Sequence, residues 1–371
     1  MAQNTSLKTA QIAKNDDFYT QLSDIENELK HYKLHFEGKV IYCNCDDPSA
    51  SKFYKYFSLN FHELKLKKLI TTCYKNQQPD LFSQHDSEKA IWLELEGGVV
   101  DEDGAYKPKE PVIRHLERDG DFRSLECIEL LKQADIVVTN PPFSMFRAYI
   151  AQLVEYDKKF LIIGNKNAIN YKQVFSLFME DRVWIGVTSM SKDLLFDVPE
   201  DYAKQLVETK KEGSAWKRVN GVVKARSQSV WFTNLDHDKR RVSLDPYKEY
   251  APEEYPKYDN YDAIEVSKTL DIPKNYPGVM GVPITYLDRH NPEEFEILGL
   301  SQKVGLGLKS TKFYDTYEEI RQDGSKTGSS GKKTNGNPVM KGRPSRGNFF
   351  VKGNDIVYSL YGRIFIRYRN S

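Results

Sequence analysis

Short apolar runs alternate with helical stripes along this chain. Lys39 to Cys45, centred on Val40-Ile41-Tyr42, is the first run, Leu66 to Tyr74 the second, and Ile136-Val137-Val138 heads a third. Continuous apolar runs of this length predict strands buried on both faces, as in a parallel sheet. Phe160 to Gly164 and Val183 to Val187 read as two more, and Val230-Trp231-Phe232-Thr233 as a further sheet strand. Between them the spacing turns helical, through Leu22, Ile25, Leu29 and Tyr32, then Phe53, Tyr54 and Phe57, then Phe143, Phe146, Tyr149, Ile150, Leu153 and Val154, then Val174, Phe175 and Phe178. The alternation from Val40 to about Thr188 predicts an α/β fold with a doubly wound, mostly parallel sheet. Ala90-Glu94 and Val112-Ile113 flank an acidic turn at Asp101-Glu102-Asp103-Gly104 and read as a hairpin decorating that sheet.

The third run carries chemistry where it stops. Pro141 and Pro142 cannot donate ladder hydrogen bonds, so the strand ends at Asn140, and ligands bind at the carboxyl edge of open α/β sheets. An exocyclic amine on a planar base fits there, held by the Asn140 side-chain oxygen and the Pro141 carbonyl while Phe143 offers a stacking face. Neither acceptor needs to ionise. The competing reading of Asn140-Pro141-Pro142-Phe143 is a plain strand-ending turn. At the end of the first strand Asp47 reads as a helix N-cap, with Pro48 in the first helical turn.

Composition narrows the classes. At 371 residues the chain can bury a large domain and a smaller one, and Lys plus Arg (54) nearly cancel Asp plus Glu (53), so attraction to nucleic acid has to come from local patches. No run of eighteen apolar residues occurs, which predicts a soluble cytoplasmic protein with no membrane partner. Cys43, Cys45, Cys73 and Cys127 read as reduced thiols packed in the fold, and no metal site is assigned to them because usual ligand spacing is lacking. Past residue 189 Lys and Arg mix with aromatics, and the tyrosine-rich segment 247–261 reads as ordered loop. Between Gly324 and Asn354 there is no acid, and seven basic residues stand among Gly, Ser and Asn; this predicts a flexible cationic loop before one final strand, Asp355 to Tyr368.

Asn140-Pro141-Pro142-Phe143 resembles the catalytic motif of amino-group methyltransferases, and the string from Asp135 to Phe146 is similar to the EcoRI-type DNA adenine-N6 methyltransferases. Further strings carry the resemblance: Asp17-Phe18-Tyr19-Thr20-Gln21, Tyr42-Cys43-Asn44-Cys45-Asp46-Asp47-Pro48, Gly120-Asp121-Phe122-Arg123-Ser124, Tyr255 to Ala263 and Gly278 to Thr285. The resemblance implies a class I methyltransferase (Rossmann-like) fold with a C-terminal target-recognition region. It implies methyl transfer from S-adenosylmethionine to N6 of an adenine flipped out of double-stranded DNA. It implies either a restriction-modification methylase, with a cognate restriction endonuclease encoded nearby as a functional, not physical, partner, or an orphan methylase without one. Catalysis falls on Asn140, Pro141, Pro142 and Phe143, and cofactor binding on Phe18, Tyr19, Thr20, Asn44, Asp46, Asp121, Phe122 and Asn140. Asp121 would accept from the cofactor's adenine amine or cap the helix that follows it, and Asp46 would receive the methionine ammonium or act as a cap. Lys326, Lys332, Lys333, Lys341, Arg343 and Arg346 are assigned to DNA phosphates. The domains expected are a flexible arm at 1–14, a catalytic domain at 15–188 and a DNA-binding region at 189–371. Two departures stand out: no glycine-rich loop follows the first strand, and Tyr74-Lys75-Asn76 stands where an acid commonly binds ribose. The alternatives are a methyltransferase acting on RNA or protein glutamine, and an inactive DNA-binding protein on a methyltransferase fold.

Overall fold

The structure, a computed structural model, describes residues 19–45, 51–73, 90–100, 102, 106–192, 194–198, 200–301 and 306–369. The expected arm at 1–14, and the stretch from Asp46 to Pro48, lie outside them. An eight-stranded sheet forms from Val40–Cys43 (β1), Lys68–Thr72 (β2), Ile91–Leu95 (β3), Val112–His115 (β4), Ile136–Thr139 (β5), Lys159–Asn165 (β6), Trp184–Ile185 (β7) and Ser229–Thr233 (β8). Across the sheet the order is β7, β8, β6, β5, β1, β2, β3, β4. β1 pairs in parallel with β2 and β5, and β5 with β6. β3 runs antiparallel between β2 and β4, and β8 antiparallel between β6 and β7. The sheet is mixed, with the expected parallel pairing at its centre, β2-β1-β5-β6, and antiparallel pairing on either side. Its centre is apolar as the runs required: every residue of β1, β5 and β8 is buried.

On one face Ile25 and Leu29 of helix Leu22–Leu29 pack with Phe53 and Phe57 of helix Lys52–Leu59. Edge-to-face pairs fill the layer, Phe36 on Phe57 with centroids 5.3 Å apart and Phe53 on Trp231 at 6.0 Å. The second helix begins at Lys52, and its N-cap is Ser51, whose hydroxyl accepts from the Tyr54 N–H at 3.0 Å. The expected start at Asp47-Pro48 is corrected accordingly. β3 and β4 extend the sheet edge as the predicted hairpin, and β4 is exposed throughout.

Tyr19–Thr20 joins a separate sheet, ordered 19–20, 194–197, 222–227, 216–219. Its hairpin turns at Asn220-Gly221, both with positive φ (51° and 80°), the conformation of a two-residue type I′ turn. Glu28, fully buried, joins the first helix to the end of β7: its carboxylate accepts from the Val187 and Thr188 N–H groups, each at 2.7 Å, and from the Tyr32 hydroxyl at 2.9 Å. A Cβ on Gly186 would lie 2.3 Å from that carboxylate, so glycine is required there.

The chain divides into two compact units, residues 1–169 with 183–237, and residues 170–182 with 238–371. Residues 189–237 go with the large sheet because they supply β8 and the partners of Tyr19–Thr20. Helix Lys172–Met179, expected as a crossover helix on that sheet, belongs to the second unit and packs against strand Phe295–Leu300.

The second unit holds two five-stranded sheets, ordered 264–265, 280–283, 363–368, 295–300, 306–307 and 326–330, 318–320, 349–352, 355–359, 339–341. The flexible loop expected at 324–354 is corrected: it supplies strands Lys326–Ser330, Val339–Lys341 and Phe349–Lys352, with Val339, Met340, Phe349 and Phe350 buried. Glycines with positive φ mark the turns between its short strands, at Gly324, Gly336, Gly342, Gly347 and Gly353, and Gly328 has positive φ within Lys326–Ser330, where the pairing register shifts. The single final strand is also corrected to two, Asp355–Ser359 and Arg363–Tyr368, which lie in different sheets. Segment 247–261 has no helix or strand, and it buries Tyr255, Tyr258 and Tyr261. Among the described residues no helix is long and apolar enough to cross a membrane.

Replacing Glu28 by Ala leaves two partly buried N–H groups without their acceptor and should lower the unfolding free energy by about 2–4 kcal/mol. A urea titration should show the midpoint falling at unchanged slope. An unshifted midpoint would mean that Glu28 is dispensable to the fold.

Candidate active site

Three parallel strands end at one level. Ile41 lies opposite Ile136, Tyr42 opposite Val137, and Cys43 opposite Thr71, so the chain leaves β1 at Asn44, β2 at Cys73 and β5 at Asn140 along one edge of the sheet. Side chains lock the ends together. The Thr139 hydroxyl donates to the Asn44 carbonyl, and the Tyr149 hydroxyl, from helix Phe146–Glu155, donates to the Asn44 side-chain oxygen. Asn44 is 3% exposed, and after it Cys45 turns the chain with a φ of 65°. Burial pushes the Tyr149 hydroxyl well above its ordinary pKa, so it remains a donor at any working pH.

Tyr149 also meets the third part of the site. Its ring stands edge-on to Phe122 with centroids 5.0 Å apart, and the Gln152 amide from the same helix donates to the Phe122 carbonyl at 3.2 Å. Just before it, Gly120 has a φ of 77°, and a Cβ there would fall 2.1 Å from the Cys73 carbonyl oxygen. Only glycine lets this loop lie against the end of β2. Asp121 accepts from the Arg123 N–H and Nε at 2.8 Å and from Nη2 at 2.6 Å. The hydrogen bonds from the Arg123 side chain hold its carboxyl below the usual carboxylate range. The helix N-cap is Ser124, which accepts from Cys127 N–H at 3.3 Å, so the capping alternative for Asp121 is overturned. A cleft of about 450 Å³ opens here, lined among the described residues by Arg118, Asp119, Asp121, Arg123 and Ser124.

Asn140 is partly buried at the tip of β5, with its side-chain oxygen inside. Pro141 is buried, the Pro142 carbonyl accepts from Met145 N–H at 3.0 Å, and Phe143–Met145 forms one 3₁₀ turn ahead of the helix. Phe143 is half-buried against the aromatic core. The contacts thus bring Asn44 and Phe122 together through Tyr149, with Asn140 following Thr139. Thr20 is buried in the four-stranded sheet, and its hydroxyl has no partner among the described residues; Tyr19 precedes it in the same strand. Phe18 and Asp46 lie outside the described residues.

The six basic positions belong to the second unit. Lys326 pairs with Glu318 at 2.7 Å, Lys341 with Asp259 at 3.7 Å, and Lys333 with Glu319, which is 4% exposed. Arg343 stacks its guanidinium over Phe349 at 4.8 Å, and Lys332 and Arg346 are exposed. The positioning contacts of Tyr149, Thr139 and Gly120 are not legible in the sequence pattern. Tyr149 reads there as one of the apolar positions of its helix, and a hydroxyl at such a position is the one signal the sequence offers.

The family described as adenine-specific methyltransferase EcoRI matches residues 6–369. Type II methyltransferase M.EcoRI of Escherichia coli is 47% identical over 300 residues, covering 80% of this chain and 89% of its own length. Type II methyltransferase M.MgeORF184P of Mycoplasma genitalium is 37% identical over 296 residues, covering 78% of this chain and 84% of its own. M.MpnI of Mycoplasma pneumoniae is 37% identical over 295 residues, covering 78% and 83%. No solved structure matches the chain. Adenine specificity removes the glutamine alternative, and relatedness along nearly the whole chain replaces the inactive alternative with an enzyme. A class I sheet ending in Asn140-Pro141-Pro142-Phe143, matched along almost its full length, places this chain in the EcoRI family of adenine-specific methyltransferases.

Proposed function

We propose that this site-specific DNA adenine methyltransferase works at the carboxyl edge of β1, β2 and β5, with S-adenosylmethionine as the methyl donor and N6 of a flipped-out adenine as the acceptor. The observation that carries the reading is Asn140, set at the end of a fully buried parallel strand and level with Asn44 and Cys73. The residues present fit the donor. Gly120 keeps the backbone close to β2, the Asp121 carboxylate borders an open cleft, and the Thr20 hydroxyl is buried without a partner among the described residues. When bound, S-adenosylmethionine supplies an electrophilic methyl group, so the chain has mainly to orient its partner.

Asp121 would hold the donor's adenine amine, with Phe122 packed beside it. Asp46 and Phe18 are retained for this role on the family resemblance. Asn44 acts differently from the first expectation: its oxygen is committed to Tyr149, so it contributes by fixing the turn that leads towards Asp46. The target amine would donate to the Asn140 side-chain oxygen and the Pro141 carbonyl, which draws its lone pair out of the ring and towards the methyl group. The Phe143 ring would stack on the flipped base, while Pro142 fixes the turn between the two.

Contacts to DNA phosphates are assigned to the second unit. Exposed ion pairs such as Lys326 with Glu318 contribute little and exchange readily for phosphate, and Lys332, Lys341, Arg343 and Arg346 are exposed as well. Lys333 is held by an almost fully buried acid and is the least available.

Asn140→Ala should lower the methyl-transfer rate about 100-fold or more, with the fold intact. Single-turnover transfer of radiolabelled methyl to DNA measures it, and near-normal turnover would remove Asn140 from catalysis. Asp121→Ala should weaken S-adenosylmethionine binding roughly tenfold or more while leaving DNA affinity unchanged, the scale of losing one charged hydrogen bond. Because the Asp121 carboxyl is held below its usual range, that contribution is present at neutral pH and disappears only on acidification. Calorimetry with each ligand in turn decides it, and an unaltered cofactor affinity would assign Asp121 to shaping the loop.

A further inference from the structure

Tyr361 is 91% exposed and Phe313 68% exposed, on loops that are otherwise polar. Exposed aromatics on unanchored loops would be unremarkable. The backbone on either side of these two is anchored. The Arg363 guanidinium donates to the Tyr361 carbonyl at 3.2 Å and the Gly362 carbonyl at 3.4 Å, and it is bound in turn to Glu265 at 2.8 Å, with side chains 12% and 8% exposed. Leu360 N–H bonds the Pro338 carbonyl at 2.9 Å. A buried ion pair thus fixes the backbone that carries the exposed Tyr361 side chain.

Phe313 is fixed from the other side. Asn260, fully buried, donates from its amide to the Ser310 hydroxyl at 3.1 Å and to the Asn337 carbonyl at 2.9 Å, while its oxygen accepts from Val339 N–H at 2.9 Å. Its carbonyl accepts from Thr311 N–H at 2.8 Å, and Tyr314 N–H bonds the Asn335 side chain at 2.9 Å. One buried amide therefore gathers loops 308–313 and 331–338, and the Asn337 amide reaches Ser359 at 3.4 Å, bringing in loop 360–362. The three loops contain four lysines, Lys309, Lys312, Lys332 and Lys333, and no acid. Lys312 bridges Asp259 and Asp355 beneath them, at 2.7 Å and 3.3 Å.

We infer that these three loops form a surface that meets the bases of duplex DNA, with the Tyr361 and Phe313 rings as its stacking or wedging contacts and the exposed Lys309 and Lys332 on the flanking phosphates. The inference rests on the reading of the chain as a DNA methyltransferase and adds the surface that engages the target. Aromatic rings carried on hydrogen-bonded loops among cations suit a polyanion whose interior offers flat apolar faces. A backbone already held lowers the ordering cost of base contact, leaving only the side-chain rotamers to be fixed.

The test uses the full-length protein. Methylated adenines are first mapped in DNA from cells expressing the wild type, and a duplex carrying the mapped site is the probe. Tyr361→Ala and Phe313→Ala should each weaken binding to it by about tenfold, with S-adenosylmethionine affinity, melting temperature and the salt slope unchanged, because a ring carries no charge. Tyr361→Phe, which keeps the ring, should bind like the wild type. Unchanged affinity in the double variant Phe313→Ala with Tyr361→Ala overturns the proposal. A wild type that transfers no methyl to DNA would overturn the underlying reading instead, and the two failures are distinct because one is read by binding and the other by transfer. Both rings are exposed, so their removal leaves the folded core, and with it the test, intact.

Discussion

The site depends on β1 and β5 being held at a fixed offset. Hydrogen bonds outside the strand ladder fasten them at both ends. At the start of the pair Asp135 N–H bonds the Val40 carbonyl at 2.9 Å, and its carboxylate accepts the Val40 N–H at 2.8 Å. At the far end the Thr139 hydroxyl closes on the Asn44 carbonyl, and Tyr149 on the Asn44 side chain. A slip of one residue would turn every side chain to the opposite face and break all four bonds together. The two asparagines therefore keep a constant relation at one edge of the sheet, although they lie on different strands. Because the bonds at the far end lie in a buried, low-dielectric environment, they hold geometry that water-exposed partners would let drift.

The elements that could be read from the chain are those whose cause is local. An apolar run stopped by Pro141 and Pro142 has few options other than a buried strand with a defined end, and Phe146, Tyr149, Ile150 and Leu153 at helical spacing have few options other than a helix against it. What the chain concealed has non-local causes. Helix Lys172–Met179 has an ordinary amphipathic pattern, and nothing in that pattern says which unit it will cover. The Gly, Ser and Asn content of 324–354 suits a flexible loop and a set of short strands equally well; the buried pairs Val339-Met340 and Phe349-Phe350 are too brief to settle it without their neighbours. At Ser51 the cap was hidden because Asp47-Pro48 offers better local capping chemistry. Asn140 and Phe122 could be assigned from the family motifs, whereas Tyr149 and Gly120 become visible only when the ends of β1 and β2 are set beside them.

Charge is organised locally in the second unit. The chain as a whole has a formal charge of +1, so neither attraction to DNA nor repulsion within the fold is set by the total. In that unit buried acids lie against more exposed cations: Glu319 against Lys333, and Asp259 against Lys312. An acid placed below a cation fixes its position and leaves its outer side facing solvent. Such layering gives a basic face without the self-repulsion that unpaired lysines would bring.

β8 enters the sheet between β6 and β7, although it follows both in the chain. The short strand β7 has β8 as its neighbour and does not pair with β6, so its place is created only when residues 229–233 arrive. Residues 186–228, including the sheet that secures Tyr19–Thr20, are made before that insertion. On the ribosome, closure of the sheet therefore waits for a segment far along the chain from β6, and pairings of such sequence separation slow folding. Until it occurs, β6 presents an open hydrogen-bonding edge, the surface through which strands from different chains associate. The same arrangement that completes the methyltransferase sheet thus sets the stage at which a newly made chain is most exposed to aggregation.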